Sequence, residues 1–365
     1  MRKRTLWKTA VPLGLAAVML AGCAGGASTD PDPGTDATDE GQASDATLRV
    51  NFGYHPENWS PGQEMEGGPL RIVYETLLAP GEDGFPEPFL ATGYELTDED
   101  LTLELREGVT FHDGTPFNAD AVAANVDFVK NSATAYSGVL AAIESVDVID
   151  DHTVRFNLTG PTPSLPQTLT TRTLPIGSPA AIEDGSIAQH PVGTAPWAYS
   201  ADTSVVGTRL DFQAFPDYWG DSVGFGSIEL FNIVEEEARA AALQSGEIDV
   251  TDLDLKTAET LGDGFESLNY PAIRNNVHFF DRGPGGIFES LELRQAVCYA
   301  IDAQQMADLD GEGGVAATQH FTEGEIGYNA AIEGYMPDLE RAQELYAAAG
   351  SPTVNTEMIF FFYYS

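Results

Sequence analysis

The chain has 365 residues, 57 of them Asp or Glu against 17 Lys or Arg, for a net charge of −40. Phosphate contacts need a basic face, so nucleic-acid binding is excluded. An acidic surface is also repelled by anionic lipid, so charge alone cannot hold this protein on a membrane. At 42% hydrophobic and 10% aromatic the chain has the apolar residues for real cores, and its length suits two domains.

The first eight residues carry Arg2, Lys3, Arg4 and Lys8 and no acid, and Thr9–Leu20 is apolar. Twelve residues are too few to cross a hydrocarbon core of ~30 Å, which takes ~20. A basic start, a short apolar run and the small pair Ala21-Gly22 describe an export signal removed after use. Leu20-Ala21-Gly22-Cys23 resembles the bacterial lipobox, in which the Cys is diacylated and becomes the mature N-terminus; an ordinary export signal that happens to hold a Cys is the other reading. Two acyl chains anchor far more firmly than one. Residues 24–45 hold no aromatic and no large aliphatic side chain. They cannot bury enough apolar surface to fold and form an acidic, flexible linker.

Beyond the linker, Ala46–Phe52 alternates as a strand, and Tyr54–Gly68 reads as a Pro-, Gly- and Asn-rich loop. Pro69–Ala79 places Leu70, Val73, Leu77 and Leu78 near helical spacing. Leu101, Leu103 and Leu105 alternate with polar residues, a half-buried strand. Phe111–Phe117 is a turn built on Asp-Gly and Thr-Pro. Asn118 caps a helix running to about Asn131 with Val122, Val126 and Val129 on one face. Val146–Val148 and Val154–Leu158 flank a hairpin at Asp150-Asp151-His152. Arg209–Phe215, Ser227–Val234 and Glu247–Val250 are strand candidates, as is Asn276–Phe280. Glu235–Ser245 is a helix stopped by Gly246. Leu291–Ile301 and Asp338–Ala349 are helices, the second ended by Gly350. Mixed elements of this kind make an α/β fold.

Chemistry-bearing motifs are sparse. The six histidines form no i, i+4 metal pattern, and Cys298 is the one thiol left beside Cys23, so neither a resident metal nor an intramolecular disulfide is expected. Cys298 lies in an apolar helical pattern and reads as a buried structural thiol. Gly311-x-Gly313-x-x-Ala316 has no strand before it and no helix after it, and reads as a loop. His112-Asp113 looks like an acid–base pair but sits in a turn, where Asp-Gly is turn chemistry first. No nucleophile, base and orienting group assemble by spacing, and no cofactor is implied.

Residues Leu101–Lys130, LTLELREGVTFHDGTPFNADAVAANVDFVK, resemble the signature of the family 5 extracellular solute-binding proteins, the oligopeptide, dipeptide and nickel receptors of ABC importers. Five more blocks stand in that family's order: Val73–Leu78, Pro191–Trp197, Phe215–Gly220, Ala238–Val250 and Leu293–Asp302. In the second of these Ala195 replaces a usual glycine. The resemblance implies a two-lobed periplasmic-binding-protein fold of type II-like form with an extra subdomain on lobe one. Lobe one would be residues 46–69 plus 189–275, the inserted subdomain 70–188, and lobe two 276–365, incomplete at its end. On this reading the chain is a fragment that closes poorly over a ligand and exposes an apolar edge. The resemblance further implies a monomeric, non-enzymatic receptor on the outer face of the cytoplasmic membrane. It would bind a short peptide between its lobes and present the closed form to permease subunits. A nickel chelate, glutathione or an oligosaccharide as cargo, a solute-sensing lipoprotein and a secreted hydrolase are the alternatives.

Candidate ligand-binding residues follow from that picture. Tyr54, His55 and Trp59 lie in the loop after the first strand, and Met65 near its end. Trp197 follows the Gly-Thr turn. Arg274, Asn275 and Asn276 sit at the expected hinge crossing, and Arg274 is the strongest candidate because cations are scarce in this chain. Each could instead be a loop aromatic covering the core or a polar group bonding the backbone.

Overall fold

The computed structural model describes residues 45–52, 54–63, 69–82, 84–132, 134–221, 224–262, 264–268, 281–310, 315–319, 321 and 327–353. The expected strand Asn276–Phe280 and the Gly311–Gly313 string lie outside them. Two larger sheets are built from nine strands. In chain order these are β1 (Thr47–Asn51), β2 (Ala91–Leu96), β3 (Asp100–Leu105), β4 (Ile143–Asp150) and β5 (Thr153–Leu158). They continue with β6 (Trp197–Val205), β7 (Arg209–Ala214), β8 (Ser227–Phe231) and β9 (Val250–Thr251).

The antiparallel sheet, in the order β2-β3-β5-β4, is the heart of the unit between residues 75 and 176. Its sequence alternation has a direct structural meaning. Leu101, Leu103 and Leu105 of β3 and Val154, Phe156 and Leu158 of β5 all turn inward. Helix α1 (Ala119–Asn131) covers that face with Val122, Val126 and Val129. Its N-cap is as expected: Asn118 Oδ1 accepts from the Ala121 N–H at 3.0 Å. A polar residue interrupts the apolar face. Asn125 is fully buried, and its amide donates to Gly177 O at 2.7 Å while accepting from Gly177 N at 2.9 Å. A side-chain amide here mimics a strand partner and docks the chain near residue 177 onto the helix.

The mixed sheet has the order β6-β7-β8-β1-β9. Strand β1 is an interior strand parallel to both β8 and β9, whereas β7 is antiparallel to its two neighbours, β6 and β8. Its core gathers Leu210, Phe212, Ile228 and Leu230 with Trp59, Leu70, Val73, Tyr74, Ala181 and Ile187. Helix α2 (Glu236–Ser245) connects β8 to β9 and ends at Gly246 with φ +74°, the left-handed stop expected there. Arg49 holds this end shut, pairing with both Asp249 oxygens and donating to Gly246 O at 2.6 Å.

Residues 281–353 carry α3 (Leu291–Ala300), α4 (Ala303–Asp310) and α5 (Leu339–Ala348). Ser290 and Asp338 cap α3 and α5, and the Asp338 N–H donates to Tyr299 O at 2.8 Å. Leu293 and Ala296 of α3 are buried, as are Ala342 and Leu345 of α5, the helix lying against it. Cys298 is half-buried rather than fully buried, and burial raises its pKa, which keeps it a protonated thiol.

Two expectations change, and one strand has no counterpart among them. The helix over Pro69–Ala79 is one turn, Leu70–Val73. Residues Glu75–Thr76 then pair with Pro175–Ile176, and Leu78–Pro80 with Pro86–Pro88. Leu77 and Leu78 are adjacent and both fully buried, which suits extended chain with cover on both sides rather than one helix stripe. The expected strand Glu247–Val250 is only Val250–Thr251. Strand β6 has no period-2 signal because its register shifts between Ser200 and Val205.

Candidate functional site

In open α/β sheets ligands bind outside the carboxyl ends of the parallel strands, where loops diverge and backbone groups point outward. Here those ends are Asn51, Phe231 and Thr251. They form one fastened rim. Asn51 is 2% exposed; its Oδ1 accepts from Ile233 N at 2.6 Å, and its amide reaches Ile233 O at 3.3 Å and Thr251 Oγ1 at 3.4 Å. Arg239 on α2 donates to Val234 O at 2.6 Å and Asp252 O at 3.2 Å, tying the loops after β8 and β9 together. Neither residue stands out in sequence, since each acts through contacts with distant segments; the only local hint is an Asn closing an otherwise alternating strand.

Two sequence candidates stand on this rim. The loop after β1 carries Tyr54, half-buried, and His55. His55 Nε2 lies 3.0 Å from Leu230 O, so that nitrogen carries the proton and donates. Nδ1 is left as a buried acceptor to which no described residue donates. Burial lowers the His55 pKa, with the Leu230 bond opposing, so the ring is neutral near pH 7. The loop is held from behind: Trp59 N donates to Ala188 O at 3.0 Å, and Gln189 Nε2 to Glu57 O at 3.3 Å.

Two other candidates are placed elsewhere. Trp59 is 4% exposed and packs in the mixed-sheet core, with ring centroids 6.3 Å from Tyr199 and 6.0 Å from Phe212. It covers the core and offers a ligand no face. Trp197 is opposite Ala214, while the rim end of β7 is Arg209, opposite Phe231. The separation is five residues of strand, ~16 Å. Trp197 therefore belongs to the far end of the sheet, where its indole donates to Phe225 O at 3.3 Å. Met65, Arg274, Asn275, Asn276 and the lipidation candidate Cys23 lie outside the described residues.

The motif blocks of the sequence meet at a different place. Val73 O accepts from Ala195 N at 3.1 Å, and His112 N donates to Gly193 O at 2.9 Å. His112 Nε2 lies 2.7 Å from Ala195 O and must donate to it, so Nδ1 accepts from Gly193 N at 3.4 Å. Both ring nitrogens are thus spent on backbone. Asp113 accepts from Thr115 N at 2.9 Å, as turn chemistry requires, and from the distant Ser178 Oγ at 2.5 Å. A Cβ on Gly193 would lie 2.0 Å from Val73 O, so only glycine fits. Ala195 is fully buried and is not among the described residues with positive φ, which is why alanine serves there. Among the described residues no group of three His, Cys, Asp or Glu could hold a metal.

A mixed sheet with a fastened rim at its parallel ends, carrying an antiparallel unit inserted after its first strand, defines the architecture as α/β. The comparisons give the family. The model for "Bacterial extracellular solute-binding proteins, family 5 Middle" matches residues 86–365, and the chain belongs to that family. A glutathione-binding protein GsiB of Pectobacterium atrosepticum is 28% identical over 326 residues, covering 85% of this chain and 62% of the relative. Another, from Shigella boydii, is 26% identical over 94% of this chain and 65% of its own length. The chain thus spans less than two thirds of the length of these relatives. Among solved structures, the periplasmic binding protein DppA of Helicobacter pylori in complex with peptide STSA aligns with a TM-score of 0.67 at 24% identity, covering 84% of this chain and 66% of that one. The oligopeptide-binding protein AppA of Bacillus subtilis in complex with a nonapeptide aligns at 0.67 with 20% identity, covering 88% and 67%. At these identities the alignments establish the fold, that of the two-lobed periplasmic binding proteins.

Proposed function

We propose that this chain is the extracytoplasmic substrate-binding lipoprotein of an ABC importer, taking short peptides in a cleft bounded by the β1–β8–β9 rim. The observation that carries the reading is the rim itself: three parallel strand ends fastened by Asn51 and Arg239, with Tyr54 and His55 above them. The buried Nδ1 of His55 supplies an acceptor suited to an N–H donor or a bound water. The lipobox-like Leu20–Cys23 and the acidic linker support a tether on the outer face of the cytoplasmic membrane, and the peptide complexes of DppA and AppA support a peptide cargo. Residues 46–69 and 189–275 form lobe one and 70–188 the insert, with 70–74 and 181–187 at the seam; 276–365 belong to lobe two. Arg274, Asn275 and Asn276 are the hinge contacts. The receptor acts as a monomer that hands its solute to permease subunits.

Native mass spectrometry of a version extended to the length of its relatives, purified without denaturation, tests the cargo, followed by titration with tetrapeptides, glutathione and a nickel–histidine chelate. Retained or added peptide mass, weakened by His55→Ala, is expected. Uptake of the nickel chelate with no peptide mass would overturn the peptide assignment. Glutathione, itself a small peptide and the named ligand of the GsiB relatives, is the second reading. Labelling with radioactive palmitate, lost in Cys23→Ala, tests the anchor.

A further inference from the structure

Glu75 is the single acid in the apolar run Val73–Leu78, and it is 5% exposed. Its backbone pairs with Ile176, in the inserted unit. Its carboxylate faces outward from that unit and is taken up by two segments that run into the mixed sheet. Oε2 accepts from Thr194 Oγ1 and Trp219 Nε1, both at 2.8 Å, and Oε1 accepts from Tyr218 Oη at 2.9 Å. Thr194 leads into β6, and Tyr218 and Trp219 lie in the connection from β7 to β8. The neighbouring cation does not pair with it: Arg106 donates to Phe89 O at 3.1 Å, and its guanidinium carbon stands 4.2 Å from the centre of the Trp219 ring. Among the described residues Glu75 has no ion pair; it is a buried charge held by three neutral donors.

We propose that Glu75 is a proton-operated latch between the inserted unit and the 215–220 connection of the mixed sheet. The hydrogen-bond bookkeeping gives it two closed states. Ionised, it accepts from all three donors. When a proton from solvent adds to Oε1, that oxygen donates to Tyr218 Oη, and Tyr218 turns its own hydrogen away. Oε2 keeps Thr194 and Trp219 throughout. No covalent bond other than the new O–H changes. The protonated state removes an unpaired charge from a buried site, so the junction tightens as the surroundings acidify and loosens as pH rises through the Glu75 pKa. The titratable and charged groups at the junction are Tyr218, Arg106 and, acting on Tyr218, Asp221. His112 is a further neighbour through its bond to Ala195 O. Burial raises the Glu75 pKa, opposed first by Trp219 and then by Thr194, Tyr218 and Arg106. Tyr218 is itself raised by burial and then by the Glu75 charge, so it stays a donor across the working range.

The test is an NMR titration of the Trp219 indole N–H in the intact chain between about pH 4 and pH 8, with the resonance assigned by Trp219→Phe. One step is expected with a midpoint above the ordinary carboxylate range. Glu75→Gln, which can still accept from Thr194 and Trp219 through one oxygen and donate to Tyr218, loses the step. Tyr218→Phe removes a donor that favours the ionised form, so its midpoint moves upward. The grip itself is read from amide hydrogen-exchange protection across 215–220, which rises below the midpoint in the wild-type chain and stays level in Glu75→Gln, whereas a static contact leaves it level in both. An unchanged step in Glu75→Gln, or an unmoved midpoint in Tyr218→Phe, overturns the latch. Should Glu75→Gln not fold, Tyr218→Phe decides alone.

Discussion

Asn125→Leu isolates the most demanding polar contact in the inserted unit. Leucine has the branched shape of asparagine and suits a helix interior, although its methyls are bulkier and cannot approach Gly177 O to the 2.7 Å of the amide. What it removes is the reciprocal pair with Gly177 and the 2.9 Å bond to Ala121 O. The Ala121 carbonyl keeps its helical partner. The Gly177 N–H and C=O do not, because no water reaches a residue 0% exposed and its neighbours. A stranded buried donor or acceptor costs ~1–3 kcal/mol, so two of them amount to ~2–6 kcal/mol. The added apolar burial returns ~1 kcal/mol. A net loss of ~3 kcal/mol corresponds to a fall in Tm of ~6–12 °C when a cooperative unit of about 150–250 residues melts together. Urea unfolding and calorimetry measure it directly. Asn131→Ala on the same helix, whose partner Asp127 is exposed, stays within ~0.5 kcal/mol. If Asn125→Leu unfolds within the error of the wild-type chain, the Gly177 pair is not a docking contact and the account of how residue 177 is held is wrong.

Gly193→Ala places a methyl 2.0 Å from Val73 O, against backbone that cannot yield like a side chain. The bonds to His112 are expected to open, with a loss of at least ~3 kcal/mol in chemical denaturation; a variant of wild-type stability refutes the fit. His112 is neutral in the fold and its pKa is lowered, chiefly by burial. Its contribution is therefore present above the unfolded value of ~6.5 and lost as pH falls through the folded one. At low pH a protonated Nδ1 would also point at the Gly193 N–H, donor against donor. The Tm advantage of the wild-type chain over His112→Gln is expected to shrink from pH ~7.5 to pH ~5, and a gap that widens contradicts the assignment. A net charge of −40 repels itself in the compact state. Raising NaCl from about 0.1 M to about 1 M shortens the screening length from ~10 to ~3 Å, and Tm should rise by several degrees. A falling Tm would mean that the exposed ion pairs, such as Arg341–Glu344, outweigh the repulsion.

What the sequence announces and what it conceals divide along one physical line. Local signals are legible. The Leu101–Leu105 alternation, the Asn118 cap, the Asp150–His152 turn and the Gly246 stop each depend on a few neighbours, and each is where its residues place it. Pairing between distant segments is not. Glu75 reads as one acid in an apolar run, and only the arrival of Thr194, Tyr218 and Trp219 explains it. The 69–79 helix fails for the same reason, since extended partners at 86–88 and 175–176 override a helical spacing of leucines. Candidate positions follow the rule too. Tyr54 and His55 could be put at a carboxyl end because the loop after β1 must emerge there. Trp59 and Trp197 were not, because a loop aromatic looks alike whether it roofs the core or meets a solute, and only strand register separates Trp197 from the rim.

The blocks that carry the family resemblance have a consistent place in the structure. Val73–Leu78, Pro191–Trp197, Phe215–Gly220 and part of Leu101–Lys130 converge on one junction, where Gly193 lets two backbones touch and Glu75 gathers three donors. The rim lies elsewhere, on Asn51, Tyr54, His55 and Arg239, and of these only Arg239 falls within a block. A joint between two units tolerates few substitutions, because each side chain there satisfies a buried group on another segment. On the proposed function, the choice of solute would rest on rim side chains that stand outside the blocks, Tyr54 and His55, rather than on the bonds of Asn51 and Arg239 that fasten the strand ends.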